Sequence, residues 1–434
     1  MKIYPPFLKK IKEGINIDKD KFNNSQFSNH SEYNIIITFK NTNERDKFLS
    51  KYNDLRISAQ FSRIPSIVTN LSRKEILNLK NEEIVLQIEE DQEVFLSYLD
   101  AIESLRLPEY QRNQIVYTGK GVNIGILDIG IQGNFNSNSK RFQEKPYSVK
   151  KLKDFSKAIQ NVNITHGTLL ANIIKSNFID EEGFSNALAP DSNLIDLTIS
   201  TKQKSYHISD LLKVLDLIDK ENPQLDILLM AFSTSEASDG KDILSKMCNL
   251  LTEKNNLIIV APAGNTGPQE SSIGSPGAAE NVITFGALDK NLSVASFTSQ
   301  GPTLDNRTKP DFYLLGSKLI VPITESIQIK SSGTSLSAAL GAGIIALLKE
   351  YNQELNVDEI KRILSKYSSF LNEDVRTLKI SEIFEGLGLF HEPIFSLRYL
   401  YRRSLWVSIQ IIIILILLFN WKLIYNLIKL LYGF

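Results

Sequence analysis

The chain has 434 residues, 42% of them hydrophobic and 23% charged, enough for two or three domains whose cores need neither disulfides nor metals. Its 49 basic and 49 acidic side chains cancel, so no excess positive field draws it onto nucleic acid, which is excluded as a partner class. A single cysteine and four histidines rule out an internal disulfide and argue against a Cys/His zinc site; Cys248, in an apolar helical stretch, reads as a small buried hydrophobe.

Residues 1–31 are polar and rich in Lys and Asn, and form an arm that is either a short helix or disordered. Charges and prolines interrupt the apolar core that a secretory signal needs, so nothing at this end directs export. Residues 32–100 read as a small α+β domain. Strands are expected at 33–39 (YNIIITF), 64–71 (IPSIVTNL) and 83–90 (EIVLQIEE). A helix at 43–52 opens on Asn43, and one at 72–80 opens on Ser72, with Glu75 completing a capping box.

Beyond a linker with Pro108, residues 101–370 alternate apolar strand runs with helical patterns. The runs at 122–128, 193–200, 225–232, 257–262 and 281–288 are almost continuously apolar, while 208–220, 241–254 and 356–367 repeat at helical spacing. That combination specifies an α/β fold, a parallel sheet covered by helices on both faces. Residues 371–403 are poorly patterned and read as a linker.

The stretch 405–419 (LWVSIQIIIILILLF) carries no charge, and extending it to Tyr425 gives 21 residues. At about 1.5 Å per residue these span about 31 Å, the hydrocarbon thickness of a bilayer. Trp406 and Trp421 stand near the two ends of the stretch, as aromatic rings do at the two interfaces. A buried core helix is the alternative; the expectation is a transmembrane helix over 404–425 in contact with membrane lipid, followed by a tail at 426–434. Arg398, Arg402 and Arg403 precede it and Lys422 and Lys429 follow. That margin, with no export signal ahead, favours a single-pass C-terminal anchor with a cytoplasmic-facing N-terminal portion.

Ligands of open parallel sheets sit beyond the carboxyl ends of strands. Asp128 ends the run VNIGILD, and Asn265 follows LIIVAP within Ala263-Gly264-Asn265. His166 opens an apolar helix within Thr165-His166-Gly167-Thr168, and Ser335 opens another within Ser332-Gly333-Thr334-Ser335. Singly, each reads as a cap or a turn residue. Together they supply what acyl transfer needs: a hydroxyl nucleophile, an imidazole base, a carboxylate to orient it and a donor for the oxyanion.

The blocks GKGVNIGILDIG around Asp128, HGT at His166, AGN at Asn265 and SGTSLSAA around Ser335 resemble the subtilisin-like serine peptidases, in their order along the chain and over roughly residues 105–370. The resemblance implies a subtilisin-like fold and hydrolysis of peptide bonds in protein or peptide substrates. It makes Ser335 the nucleophile, His166 the base, Asp128 its orienting carboxylate and Asn265 the oxyanion donor. Substrate would lie extended beside Ala231, Phe232 and Ser233, with Gly264 next to them. Residues 33–96 resemble the family's inhibitory prodomain, which would act as an intramolecular inhibitor and be cut off between Phe95 and Leu105. No cofactor is required; structural calcium is frequent among such proteins, but no ligand set can be assigned here.

The chain departs from the family pattern at several points. Ile129 follows the Asp where Thr or Ser is usual, Leu169–Asn172 lacks the usual second histidine and glycine, and Ala339 replaces a proline. Ser233 stands where a glycine would leave room, which implies narrowed specificity. The alternative from a different class is a catalytically silent peptide-binding protein on the same fold. A lipase-like reading fails for want of a Gly-x-Ser-x-Gly elbow at Ser335.

Overall fold

The computed structural model describes residues 3–13, 32–61, 63–79, 82–96, 117–131, 148–151, 164–176, 187–199, 206–323 and 328–389. The expected transmembrane stretch at 404–425 lies outside them, as does the expected cut region between Phe95 and Leu105 except for its first two residues. Among the described residues no helix is long and apolar enough to cross a membrane.

The N-terminal unit comprises helix α1 (Pro5–Glu13), β1 (Glu32–Phe39), α2 (Thr42–Lys51), β2 (Ile57–Phe61), β3 (Ser66–Ser72), α3 (Arg73–Leu79) and β4 (Val85–Glu90). The strands form an antiparallel sheet in the order β2-β3-β1-β4. The centre of β1, Ile35 to Ile37, is continuously apolar because both its faces are covered. Ile35, Ile37 and Phe39 pack with Phe48, Ile76 and Ile88 on one side. Ile36 points the other way, into a cluster shared with the rest of the chain. Ser72 and Glu75 make the expected capping box, but α2 is capped by Asn41, whose side chain accepts from the Glu44 N–H, rather than by Asn43.

The N-terminal arm contributes more than its composition suggests. Ile3, Tyr4, Phe7 and Ile11 are buried in the unit's core, and the Tyr4 N–H donates to the Ile88 carbonyl at 2.8 Å, closing the free edge of β4. The buried Tyr4, Phe7 and Ile11 stand three and four residues apart, which is sufficient for one helix face.

After β5 (Glu93–Leu96) come β6 (Asn123–Asp128), β7 (Ser148–Lys151), α4 (His166–Ile174), β8 (Asn193–Thr198), β9 (Tyr206–His207), α5 (Ile208–Glu221), β10 (Ile227–Met230) and β11 (Phe232–Thr234). They are followed by α6 (Ile243–Asn255), β12 (Ile258–Pro262), β13 (Ile283–Leu288), β14 (Phe312–Leu315), β15 (Leu319–Pro322), β16 (Gln328–Ser331) and α7 (Thr334–Tyr351). The last elements are α8 (Val357–Lys366), β17 (Ser368–Phe370), β18 (Arg376–Leu378) and α9 (Ile380–Gly386).

A nine-stranded sheet runs β17-β18-β14-β13-β12-β10-β6-β8-β7, parallel except at its two outermost strands. Helices α5 and α6 cover one face, and α4, α7, α8 and α9 the other. The sheet does not stop at residue 370. Strand β18 pairs with β14, and Leu378, Ile380, Ile383 and Phe384 are buried, so part of the poorly patterned linker belongs to the core. These pieces are too short for periodicity to reveal. The chain leaves β6 toward β8 on one side and returns to β10 on the other. This places a topological switch point, and hence a crevice, beyond the ends of β6 and β10.

Candidate active site

Asp128 ends β6 in that crevice and is fully buried. One carboxylate oxygen accepts from the Ile129 N–H at 2.7 Å and the other lies 2.7 Å from His166 Nδ1. Because an ionised carboxylate only accepts, its contact assigns the imidazole proton to Nδ1. Nε2 is thereby left to accept from Ser335 Oγ, 2.9 Å away. The Ile in place of Thr or Ser after the aspartate removes no bond from this line, since the contact is made by its backbone.

His166 is the first residue of α4. Thr165 caps that helix, its hydroxyl accepting from the Thr168 N–H and donating to the Gly130 carbonyl at 2.6 Å. This ties the histidine-bearing helix to the turn after Asp128. Gly167 permits the approach, because a Cβ there would stand 2.7 Å from the Gly130 oxygen and 3.1 Å from Asp128. Ser335 sits, fully buried, in the first turn of α7, where backbone N–H groups have no partner within the helix. Despite Ala339 in place of a proline, α7 runs unbroken for 18 residues.

Asn265 faces the same helix end. Its Oδ1 accepts from the Thr334 N–H at 3.1 Å and from the Thr334 hydroxyl at 2.9 Å. Its Nδ2 is buried with no hydrogen-bond partner among the described residues. An unsatisfied buried donor costs about 1–3 kcal/mol and calls for an explanation. Here the unsatisfied donor stands at the start of α7, the turn that carries Ser335. Gly264 supports it with a left-handed φ of +108°, donating to the Thr334 hydroxyl and accepting from the Ser299 N–H.

The strand-like edges of the crevice are taken by the chain itself. β5 lies between β11 and β9 as the middle of a three-stranded antiparallel sheet, with Val94 opposite Thr234, Phe95 opposite Ser233 and Leu96 opposite Phe232. Val94 is 2% exposed, next to the Phe232 and Tyr206 rings, which meet edge-on at 5.8 Å. Ala231 is buried between β10 and β11, its N–H directed at the Leu127 carbonyl.

Two carboxylates of the N-terminal unit fix this arrangement. Glu89 accepts from the Ile243 N–H at the start of α6, and Asp91 from the Ser209 N–H at the start of α5 at 2.8 Å. Helix N-termini attract negative charge. Burial and the neighbouring Asp242 nevertheless push Glu89 up to about 8, and burial raises Asp91 as well. Arg63 adds an ion pair with Asp219 of α5 at 2.5 Å. Among the described residues no group of three His, Cys, Asp or Glu side chains stands close enough to hold a metal ion.

Asp128, His166, Asn265 and Ser335, expected from scattered motifs, thus converge, with Ala231, Phe232, Ser233 and Gly264 around them. Sequence reasoning missed Thr334, Thr165 and Tyr206. The first two stand directly before Ser335 and His166, a signal that was available; Tyr206 lies in a two-residue strand that carries no periodicity.

Known proteins are similar to this chain in sequence and fold. Residues 119–381 match the family model described as the subtilase family. The serine protease AprX of Bacillus subtilis (strain 168) is 26% identical over 379 residues, covering 79% of this chain and 84% of AprX. Fervidolysin of Fervidobacterium pennivorans superposes with a TM-score of 0.61 at 14% identity, over 84% of this chain and 62% of its own. The epidermin leader peptide processing serine protease of Staphylococcus aureus superposes with a TM-score of 0.58 at 15% identity, over 84% of this chain and 100% of its own.

Proposed function

The chain belongs to the subtilase family, and from that premise we propose that it is a membrane-tethered serine endopeptidase working through Ser335, His166 and Asp128, restrained by its own N-terminal unit. As a serine protease it hydrolyses peptide bonds in protein or peptide substrates. Ser335 Oγ passes its proton to His166 Nε2 and attacks the scissile carbonyl. The resulting oxyanion is met by Asn265 Nδ2 and the Ser335 backbone N–H. His166 returns the proton to the leaving amine, and a water activated in the same way releases the acyl group. Asp128 keeps the imidazole in the required tautomer and stabilises its charged form. What carries the reading is the line Asp128–His166–Ser335, with contacts of 2.7 and 2.9 Å, ending beside the unpartnered Asn265 amide.

The N-terminal unit serves as a prodomain. Supporting this, β5 occupies the strand position that an extended substrate would take, by the backbone pairing through which peptides add to sheet edges. The C-terminal stretch 404–425 anchors the protein as a single span, which its length, apolarity and the tryptophans near its two ends support, with the peptidase facing the cytoplasm, as the margin of Arg398, Arg402 and Arg403 over Lys422 and Lys429 favours.

The test is the intact mass of the full chain in detergent, with and without a fluorophosphonate, beside Ser335→Ala. One adduct on the wild-type chain, together with loss of about the first hundred residues and neither event in the variant, is expected from nucleophilic catalysis at Ser335. An adduct without cleavage removes autoprocessing from the proposal. A folded wild-type chain that forms no adduct overturns it.

A further inference from the structure

We propose that Ser233 limits the side chain admitted at the scissile bond to that of glycine, alanine or serine, an inference that rests on the roles of Ser335 and Asn265 given above. The argument begins with the period of two along a strand. A substrate in the register of β5 pairs its residues with Thr234, Ser233 and Phe232 in turn, so its next residue lies opposite Ala231. Directly opposed residues share a face, and so do residues two apart. The side chain opposite Ala231 therefore projects on the face of Ser233, whereas Phe232 turns the other way, into the apolar cluster with Tyr206 and Val94. Beyond Ala231 the chain reaches the end of β10, which pairs with β6 next to Asp128. The residue opposite Ala231 thus presents its carbonyl to Ser335 and Asn265.

Two glycines line the face of Ser233. A Cβ on Gly264, the residue before Asn265, would stand 3.0 Å from Ser233 Oγ, and one on Gly274 would stand 2.9 Å from the same atom. Bonds from the Thr234 N–H to the Ser275 carbonyl and from the Ser275 N–H to the Thr234 hydroxyl hold the second segment against β11. Two backbone walls without side chains make a slot beside the oxyanion donor, and the Ser233 hydroxymethyl group fills its width. Ser233 is 5% exposed, its hydroxyl donating to the Thr234 carbonyl at 3.1 Å, and Ser299 Oγ adds a further obstruction beside Gly264. A hydrogen, methyl or hydroxymethyl substituent fits, whereas a leucine or phenylalanine side chain meets Ser233. The sequence after Leu96 continues with Ser97, a residue of the admitted size.

The experiment is an internal competition in which the full chain in detergent receives an equimolar mixture of peptides Glu-Val-Phe-Leu-X with one common leaving segment, X being Gly, Ala, Ser, Leu or Phe. Ratios of kcat/KM from a mixture do not depend on how much of the enzyme has a free cleft or is folded. The wild type is expected to prefer Ala and Ser over Leu and Phe by at least about tenfold, since one methylene is worth about 10–200-fold in a fitted pocket. Ser233→Gly should raise the Phe-to-Ala ratio by at least about tenfold, and Ser233→Ala by less. A wild type that favours Phe, or a ratio unmoved in both variants, overturns the size filter while leaving the peptidase reading intact. Turnover of no peptide, with no fluorophosphonate adduct, overturns both.

Discussion

The Asn265 amide nitrogen is buried without a hydrogen-bond partner among the described residues and lies at the helix end that carries Ser335, which makes Asn265 the most informative side chain after the proposed triad. Replacing it with alanine is expected to lower kcat about 10²–10³-fold with little change in KM, the range set by the same amide donor in subtilisin itself. Thr334→Val should produce a smaller fall in kcat, restored by Thr334→Ser, because the hydroxyl aims the amide without touching substrate. Steady-state kinetics on an alanine-bearing peptide separate the two. The four polar residues were legible because each stands at the end or the start of an apolar run, within two residues of a glycine, a place where burial alone would select something else. Thr334 was not, since nothing in a sequence distinguishes a hydroxyl that orients a neighbour from one that caps a helix. Cys248 lies buried as expected, and burial raises its thiol well above the usual range, which keeps it protonated and unreactive.

Among the elements, the junction of β4 with the starts of α5 and α6 carries a pH dependence of definite sign. Docked, Glu89 is surrounded by Asp239, Asp242 and Lys246, with Tyr4 bonded to Asp239 and Lys241 nearby in the same loop. Asp91 faces His207 and Asp210. With Glu89 raised from its ordinary 4.5 to about 8, the docked state holds a proton that the undocked state releases. Its contribution to docking is therefore complete below about pH 4.5 and is lost as the pH rises toward 8. Thermal unfolding of the Ser335→Ala chain should show a midpoint that falls between those values, and Glu89→Gln should flatten the profile. Helices α5 and α6 were readable from their periodicity. Strands β5, β9 and β11 were not recognisable as a sheet, since their two to four residues acquire order only from one another.

For the molecule as a whole, the N-terminal unit and the nine-stranded domain share one apolar cluster, in which Ile36, Phe61, Val68 and Val94 meet Leu212, Ile243 and Met247. Phe61→Ala is expected to weaken this union by about 3–5 kcal/mol, the usual loss for a buried phenylalanine. It should be seen as faster turnover of added peptide by chains not yet cut, with unchanged kcat after cleavage. The fold class was legible because strands covered on both faces must be apolar throughout. How the two units meet was not, because the pairing of β5 with β11 joins segments more than a hundred residues apart and leaves no local pattern in either.

The distance along the chain between the residues that meet in the crevice also orders events in time. His166 and Ser335 touch across 169 positions, and the strand that fills the cleft precedes both. At about 5–20 residues per second of synthesis, tens of seconds pass between the emergence of that strand and that of the serine. On the roles proposed above, a ribosome that stalls or aborts in this interval releases a fragment with its restraint and no nucleophile, never the reverse.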